Sequence, residues 1–138
     1  MDQTHKLLET EAEVFNALAH PVRLEILGLL RDGEACVCHI QAMLDQRQAY
    51  ISQHLNVLRQ ADLVTSRKEG LRVYYKISDP QLFGVIDQVK TFLKTLGAWQ
   101  PGPTDQTDLT QKKKSCNCPQ CSTSREDSGA LPVEVHYA

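Results

Sequence analysis

The segment "QAYISQHLNVLRQADLVTSRKEGLRVYYKI", residues 48–77, decides the fold because its hydrophobic period changes once along its length. Its first part repeats large apolar residues at helical spacing: Ile51, Leu55 and Leu58. This spacing predicts a helix over roughly 48–60. Two runs rich in β-branched and aromatic residues then flank "RKEG", which predicts a β-hairpin with a charged tip containing Gly70.

Further helical patterns lie on both sides of this segment. Residues 5–19 form an amphipathic pattern, and Pro21 suits the first turn of a second helix. A short third helix is predicted from about Cys36 to Leu44, directly before the helix at 48–60. Ser78-Asp79-Pro80 marks the start of a last helix that ends near residue 96. The sequence therefore predicts a mainly α fold with a small β-hairpin.

Composition limits the number of domains. The chain has 138 residues, a formal net charge of −2 and a hydrophobic share of 41%. Past residue 100 apolar residues become scarce, while Pro, Gly, Ser, Thr, Asp and Lys dominate. We expect one folded domain over 1–99 and a flexible, cysteine-containing tail over 100–138.

The cysteines and the apolar runs indicate the cellular compartment of the protein. No run approaches the ~20 apolar residues of a membrane span, and no charged and then apolar N-terminus suggests secretion. We therefore expect a cytoplasmic protein, in which thiols stay reduced. The five cysteines are an odd number and fall into "CVC" and "CNCPQC". This grouping suits metal or thiol chemistry better than a disulfide framework.

Helix, tight turn, helix and charged hairpin together predict a winged helix-turn-helix, which reads double-stranded DNA. A helix fits the major groove, and its early exposed residues reach base edges. The residues expected at that position are Gln48, Ala49, Tyr50, Ser52 and Gln53. The hairpin offers three cations to phosphates, namely Arg67, Lys68 and Arg72. His54 and Trp99 are assigned no functional role, and His54 is expected to be a packed histidine.

The pieces "ALAHPVRLEILGLLRDGEACVCHI", "YISQHLNVLRQADLV" and "RVYYKI" carry a family resemblance. Over about residues 10–96 the chain resembles the ArsR/SmtB family of metal-responsive winged-helix repressors. The resemblance implies a symmetric homodimer that binds a palindromic operator. It also implies a metal or metalloid inducer whose binding releases the DNA.

The last predicted helix carries an apolar seam with spacings of 4, 3, 4 and 3, which is typical of helix pairing. Its members are Leu82, Ile86, Val89, Leu93 and Leu96. We expect this seam to pair across the two-fold axis, with help from apolar residues of the first helix. The same helix contains Asp87 but no histidine, so it lacks the residues of the family's zinc site.

Cys36 and Cys38 are the first candidate ligands. Residues two apart do not face each other on a helix, so joint binding of one ion requires an irregular first turn. Soft thiolates select soft ions. In the family, "ELCVCDL" marks the site for arsenic(III), antimony(III), cadmium and lead. Here the segment is "EACVCHI", in which His39 replaces the usual aspartate, and no third thiol follows one turn later.

The tail offers the missing thiols in a C-x-C-x-x-C cluster: Cys116, Cys118 and Cys121. They could complete the first site, from the same subunit or its partner, or bind an ion alone. The predicted function is a repressor released by As(III) or antimonite, or by Cd(II) or Pb(II), with no organic cofactor.

Several alternatives remain open at this point. The thiols could form a disulfide or polysulfide bridge in a redox or sulfide sensor of the same fold. The tail could belong to a metal-binding chaperone, or it could scavenge metal without any regulatory role. Cys36 and Cys38 could also be small buried apolar residues. We predict no enzyme, because the sequence has no Gly-rich phosphate loop, H-E-x-x-H or nucleophile elbow.

Overall fold

A computed structural model describes residues 2–98 of the chain. Its helices and strands follow in this order: α1 Asp2–Leu18, α2 Pro21–Leu29, a 3₁₀ turn Leu30–Asp32, β1 Ala35–Cys36, α3 Val37–Leu44, α4 Gln48–Gln60, β2 Val64–Glu69, β3 Arg72–Ile77 and α5 Gln81–Thr95. The predicted helices and hairpin are confirmed, and β1 is an additional element. Trp99 and the predicted tail lie outside the described residues.

Local signals set the helix boundaries. Pro21 occupies the first turn of α2, and the Nδ1 atom of His20 accepts a hydrogen bond from the Val22 backbone N–H at 3.1 Å. The Asp79 carboxylate accepts a hydrogen bond from the Gln81 N–H at 2.9 Å and so caps the start of α5. These caps satisfy N–H groups that have no partner within their helix.

The three strands form one antiparallel sheet in the order β1-β3-β2. β2 and β3 form the predicted hairpin, called the wing from here on. Glu69 pairs with Arg72 across a two-residue turn, in which Gly70 has a φ of 61°. Glycine adopts this left-handed backbone without a Cβ clash. β1 adds a third strand through the pairing of Cys36 with Tyr74.

The hydrophobic core lies between α2, α3, α4 and the sheet. Its fully buried members include Ile26, Leu27, Ile40, Ile51, Leu55 and Leu58. Leu82 of α5 belongs to the same core and is 9% exposed. Its side chain packs within its own protomer and leaves little surface for a second copy, and its predicted place at a dimer interface stays a prediction. Ile86 is partly buried against the same core.

A large apolar surface remains exposed on α1 and α5. We call it the apolar face, and its strongly exposed members are Leu7, Leu8, Phe15, Val89, Phe92 and Leu96. A cleft of about 360 Å³ runs between α1, α2 and α5, beside this face. Arg31 and Asp87 link the 3₁₀ turn that follows α2 to α5 through two hydrogen bonds of 2.8 and 3.0 Å.

Within residues 2–98, no helix has both the length and the apolar character needed to cross a membrane.

Candidate DNA-binding surface and cysteine site

The first turns of α4 present a polar surface. Ile51 and Leu55 are fully buried and fix the rotation of the helix about its axis. The five side chains predicted to reach DNA bases are therefore all exposed: Gln48, Ala49, Tyr50, Ser52 and Gln53. The structure thus brings these residues together on one exposed surface at the start of α4. Their contacts with DNA stay a prediction.

A histidine cluster anchors α4 to α2. His54 is 7% exposed, and its Nδ1 atom accepts a hydrogen bond from Arg23 Nε at 3.2 Å. The His20 ring lies 4.3 Å from the His54 ring, and Tyr50 contacts His54 edge-on at 4.6 Å between centroids. Burial, followed by the charges of His20 and Arg23, lowers the pKa of His54. The prediction of a packed histidine is confirmed, whereas the sequence pattern did not reveal its partners.

The cations of the wing differ in their surroundings. Arg67 pairs with Glu34 at 2.6 Å and with Glu69 at 2.6 Å, and these carboxylates raise the pKa of Arg67 above its usual range. Its guanidinium carbon also lies 4.7 Å from the centre of the Tyr74 ring. Lys68 is exposed on the same strand. Arg67 is one of the three cations predicted to bind phosphates, and it is thus held by carboxylates of its own chain.

Cys36 and Cys38, called the cysteine pair from here on, lie at the junction of β1 and α3. Cys36 is the N-cap of α3 and has extended backbone angles, φ −78° and ψ 158°. Its Sγ accepts a hydrogen bond from the His39 backbone N–H at 3.3 Å. Because Cys36 is extended, the start of α3 is irregular, as the binding of one ion by both cysteines requires.

The two sulfur atoms of the cysteine pair are joined in a disulfide, with 5.4 Å between the Cα atoms. The sequence predicts reduced thiols instead, so the structure differs from that expectation. Cys36 is 1% exposed, and Cys38 is half-buried. The Nη1 atom of Arg72 donates a hydrogen bond to Cys38 Sγ at 3.7 Å. Arg72, predicted to bind DNA phosphate, therefore lies against the cysteine pair.

Within residues 2–98, no group of three or more His, Cys, Asp and Glu side chains is arranged to hold a metal ion. The other three predicted ligands, Cys116, Cys118 and Cys121, lie outside the described residues. Asp87 is engaged with Arg31, whose hydrogen bonds are the main reason that the pKa of the Asp87 carboxyl is lowered.

An exposed polar helix surface followed by a β-hairpin that carries cations defines a winged helix-turn-helix DNA-binding regulator. A family model described as "Bacterial regulatory protein, arsR family" matches residues 20–66. An uncharacterized HTH-type transcriptional regulator of Methanocaldococcus jannaschii is 44% identical over 87 residues, which cover 62% of this chain and 90% of that protein. The chain belongs to the ArsR family, and it is a transcriptional repressor rather than an enzyme.

Other relatives carry more specific names. The arsenical resistance operon repressor of Bacillus subtilis is 34% identical over 90 residues, or 64% of this chain and 86% of that protein. A cadmium resistance regulatory protein CadC homolog of Staphylococcus aureus is 35% identical over 83 residues, or 59% of this chain and 67% of that protein.

A solved structure agrees with this fold. It is the homodimeric winged helix-turn-helix DNA-binding domain of a possible ArsR-family regulator from Mycobacterium bovis. It superimposes with a TM-score of 0.60 at 36% identity, covering 64% of this chain and 85% of that domain.

Proposed function

We propose that this repressor leaves its operator when a soft metal(loid) ion, As(III) foremost, binds the thiolates of Cys36 and Cys38. The observation that carries the proposal is the adjacency of the two sulfur atoms at the start of α3. Because Cys36 is extended and Val37 begins the helix, the two side chains converge although they are two residues apart. A reduced pair in this arrangement offers two soft ligands to one ion without unwinding the helix.

The position of the pair suits regulation. Helix α3 ends at Leu44, and α4 begins at Gln48 after a short turn in which Asp45 has a φ of 52°. An ion that changes the conformation at the start of α3 is therefore separated by only one short helix from the residues proposed to read bases. Such coupling between two sites typically changes affinity by about 5–150-fold.

Tail thiols complete the proposed site. Two thiolates leave As(III) one ligand short of the three that it takes. Two thiolates are also too few ligands for Cd(II) or Pb(II). Cys116, Cys118 and Cys121 offer these additional ligands, from the same subunit or its partner. A chain truncated after residue 103 should therefore still bind DNA but require more arsenite for release.

The proposed DNA complex is a homodimer on a palindromic operator in the cytoplasm. The apolar face on α1 and α5 supplies a surface for the second copy, and the relative from Mycobacterium bovis is homodimeric. In this complex the exposed start of α4 enters the major groove, and the wing cations contact phosphates.

The disulfide between Cys36 and Cys38 favours a second candidate, a repressor of the same fold controlled by thiol oxidation. Here the pair loses two electrons and two protons to an oxidant or persulfide, and disulfide formation replaces ion binding as the signal. The DNA-binding surface and the dimer are the same in both candidates.

One experiment tests both candidates. A duplex that the full-length protein selects from a random pool is labelled, and its binding is followed by fluorescence anisotropy without oxygen. Release by arsenite in the presence of a reductant supports the metal(loid) proposal. Release by diamide that dithiothreitol reverses, without an arsenite effect, supports the redox candidate. Release by neither reagent contradicts both.

A further inference from the structure

The disulfide of the cysteine pair has one sulfur atom that solvent can reach. Cys36 is 1% exposed and is buried with Tyr74 in a small apolar cluster. Cys38 packs against this cluster but is only half-buried. Exchange between a thiol and a disulfide begins when a thiolate attacks one of the two sulfur atoms, and access helps to decide which one. A thiolate from solvent therefore reaches Cys38 rather than Cys36.

The buried sulfur is suited to be the leaving group. Cys36 is the N-cap of α3, and its Sγ accepts a hydrogen bond from the His39 backbone N–H at 3.3 Å. When the S–S bond breaks, this sulfur takes the electron pair and becomes a thiolate. The N–H donor and the positive end of the helix stabilise that charge, and a more stable leaving thiolate departs faster.

A guanidinium group lies beside the accessible sulfur. Nη1 of Arg72 donates a hydrogen bond to Cys38 Sγ at 3.7 Å. Glu69 is opposite Arg72 in the sheet, but its carboxylate is bound by Arg67 at 2.6 Å. The positive charge of Arg72 attracts an anionic nucleophile to Cys38. The same charge stabilises the thiolate of Cys38 once the pair is reduced.

We propose that the cysteine pair is a thiol-exchange site at which a small anionic thiol attacks Cys38, and that Arg72 recognises its charge. The attacking sulfur forms an S–S bond with Cys38, and the electron pair of the old bond goes to Cys36. A second thiolate attacks the external sulfur of this mixed disulfide and releases Cys38 as a thiolate. The pair has then gained two electrons, and the two small thiols are joined in a disulfide. The inference rests on the redox candidate of the proposed function and names the class of reductant that reverses the oxidation.

Reduction rates test the role of Arg72. The full-length chain with Cys116→Ser, Cys118→Ser and Cys121→Ser is oxidised by diamide, so that only the pair exchanges. It is then reduced by 2-mercaptoethanesulfonate, 2-mercaptoethanol or cysteamine, whose thiolate forms carry two net negative charges, one and none. Acid quenching, alkylation and mass spectrometry give the rates. In this chain Arg72→Gln removes the charge and Arg72→Lys keeps it. Lys76→Gln is the matched control, because it removes an exposed cation from the same strand.

The expected result is a loss of rate that follows the charge of the attacking thiolate. Arg72→Gln should slow 2-mercaptoethanesulfonate roughly 10-fold and 2-mercaptoethanol roughly 3-fold, and should leave cysteamine within about twofold. Arg72→Lys should keep most of the preference for the anionic thiol, and about 1 M salt should reduce it. Lys76→Gln should change each rate by less than about twofold. A merely structural role of Arg72 would change the three rates equally.

The site of attack is measured in the same chain with Arg72 intact. The reaction is quenched early, free thiols are alkylated, and tandem mass spectrometry should find the external thiol on Cys38 and the alkyl group on Cys36. The reverse placement, an equal effect of Arg72→Gln on all three thiols, or an equal effect of Lys76→Gln overturns the exchange site and leaves the repressor function intact. DNA binding that diamide does not change contradicts the redox candidate instead, and with it the role of exchange in resetting the repressor.

Discussion

Phe92→Ala should weaken dimerisation strongly. Phe92 is on α5, is 61% exposed in the protomer, and was not part of the seam predicted from the sequence. Complete burial of a phenylalanine side chain is worth about 1.5–3 kcal/mol. If the partner covers the exposed part, its burial contributes about 1–2 kcal/mol in each subunit and about 2–4 kcal/mol in a symmetric dimer. The dimer dissociation constant should then rise roughly 30- to 700-fold.

Sedimentation velocity across a concentration series measures this change. Leu71→Ala is the matched control, because Leu71 is a fully exposed apolar residue at the tip of the wing, away from α1 and α5. It should leave the dissociation constant within about twofold of wild type. A Phe92→Ala protein that is folded and dimerises as tightly as the Leu71→Ala control would refute the apolar face as the dimer interface.

Three more predictions concern DNA, the switch and the core. Gln53→Ala should cost about 1–3 kcal/mol on the selected duplex and almost nothing on random DNA, as measured by anisotropy; equal losses on both would exclude base reading. Cys36→Ser should keep DNA binding, since serine also caps helices well, but should lose release by arsenite; retained release would move sensing to the tail. Leu55→Ala should lower the free energy of unfolding by about 2–5 kcal/mol in urea titrations, because Leu55 is fully buried; a loss below 1 kcal/mol would contradict its place in the core.

The sequence by itself determined the elements and their order. The predicted helix at 48–60 coincides with α4, because both its apolar spacing and its boundaries are encoded within a few neighbouring residues. The same holds for the start of α2 at Pro21 and for the hairpin around Gly70. Helical period, caps and turn residues are local properties, and one sequence is enough to read them.

Tertiary structure decided which side chains meet. β1 has two residues, too few to show any period, and it exists because Cys36 pairs with Tyr74 far along the chain. The contacts of Arg67 with Glu34 and of Arg72 with Cys38 join residues 33 and 34 positions apart. No local sequence pattern predicts a contact between residues so far apart in the chain.

The apolar seam of α5 shows most clearly which features the sequence determines and which the tertiary structure decides. Its spacing indicates an apolar face, but spacing alone does not distinguish a face that packs on its own core from one left for a partner. The fold buries Leu82 in the core and leaves Val89 and Leu96 half or more exposed. Hydrophobic burial is non-directional, so the packing of the whole chain determines where each apolar residue is covered.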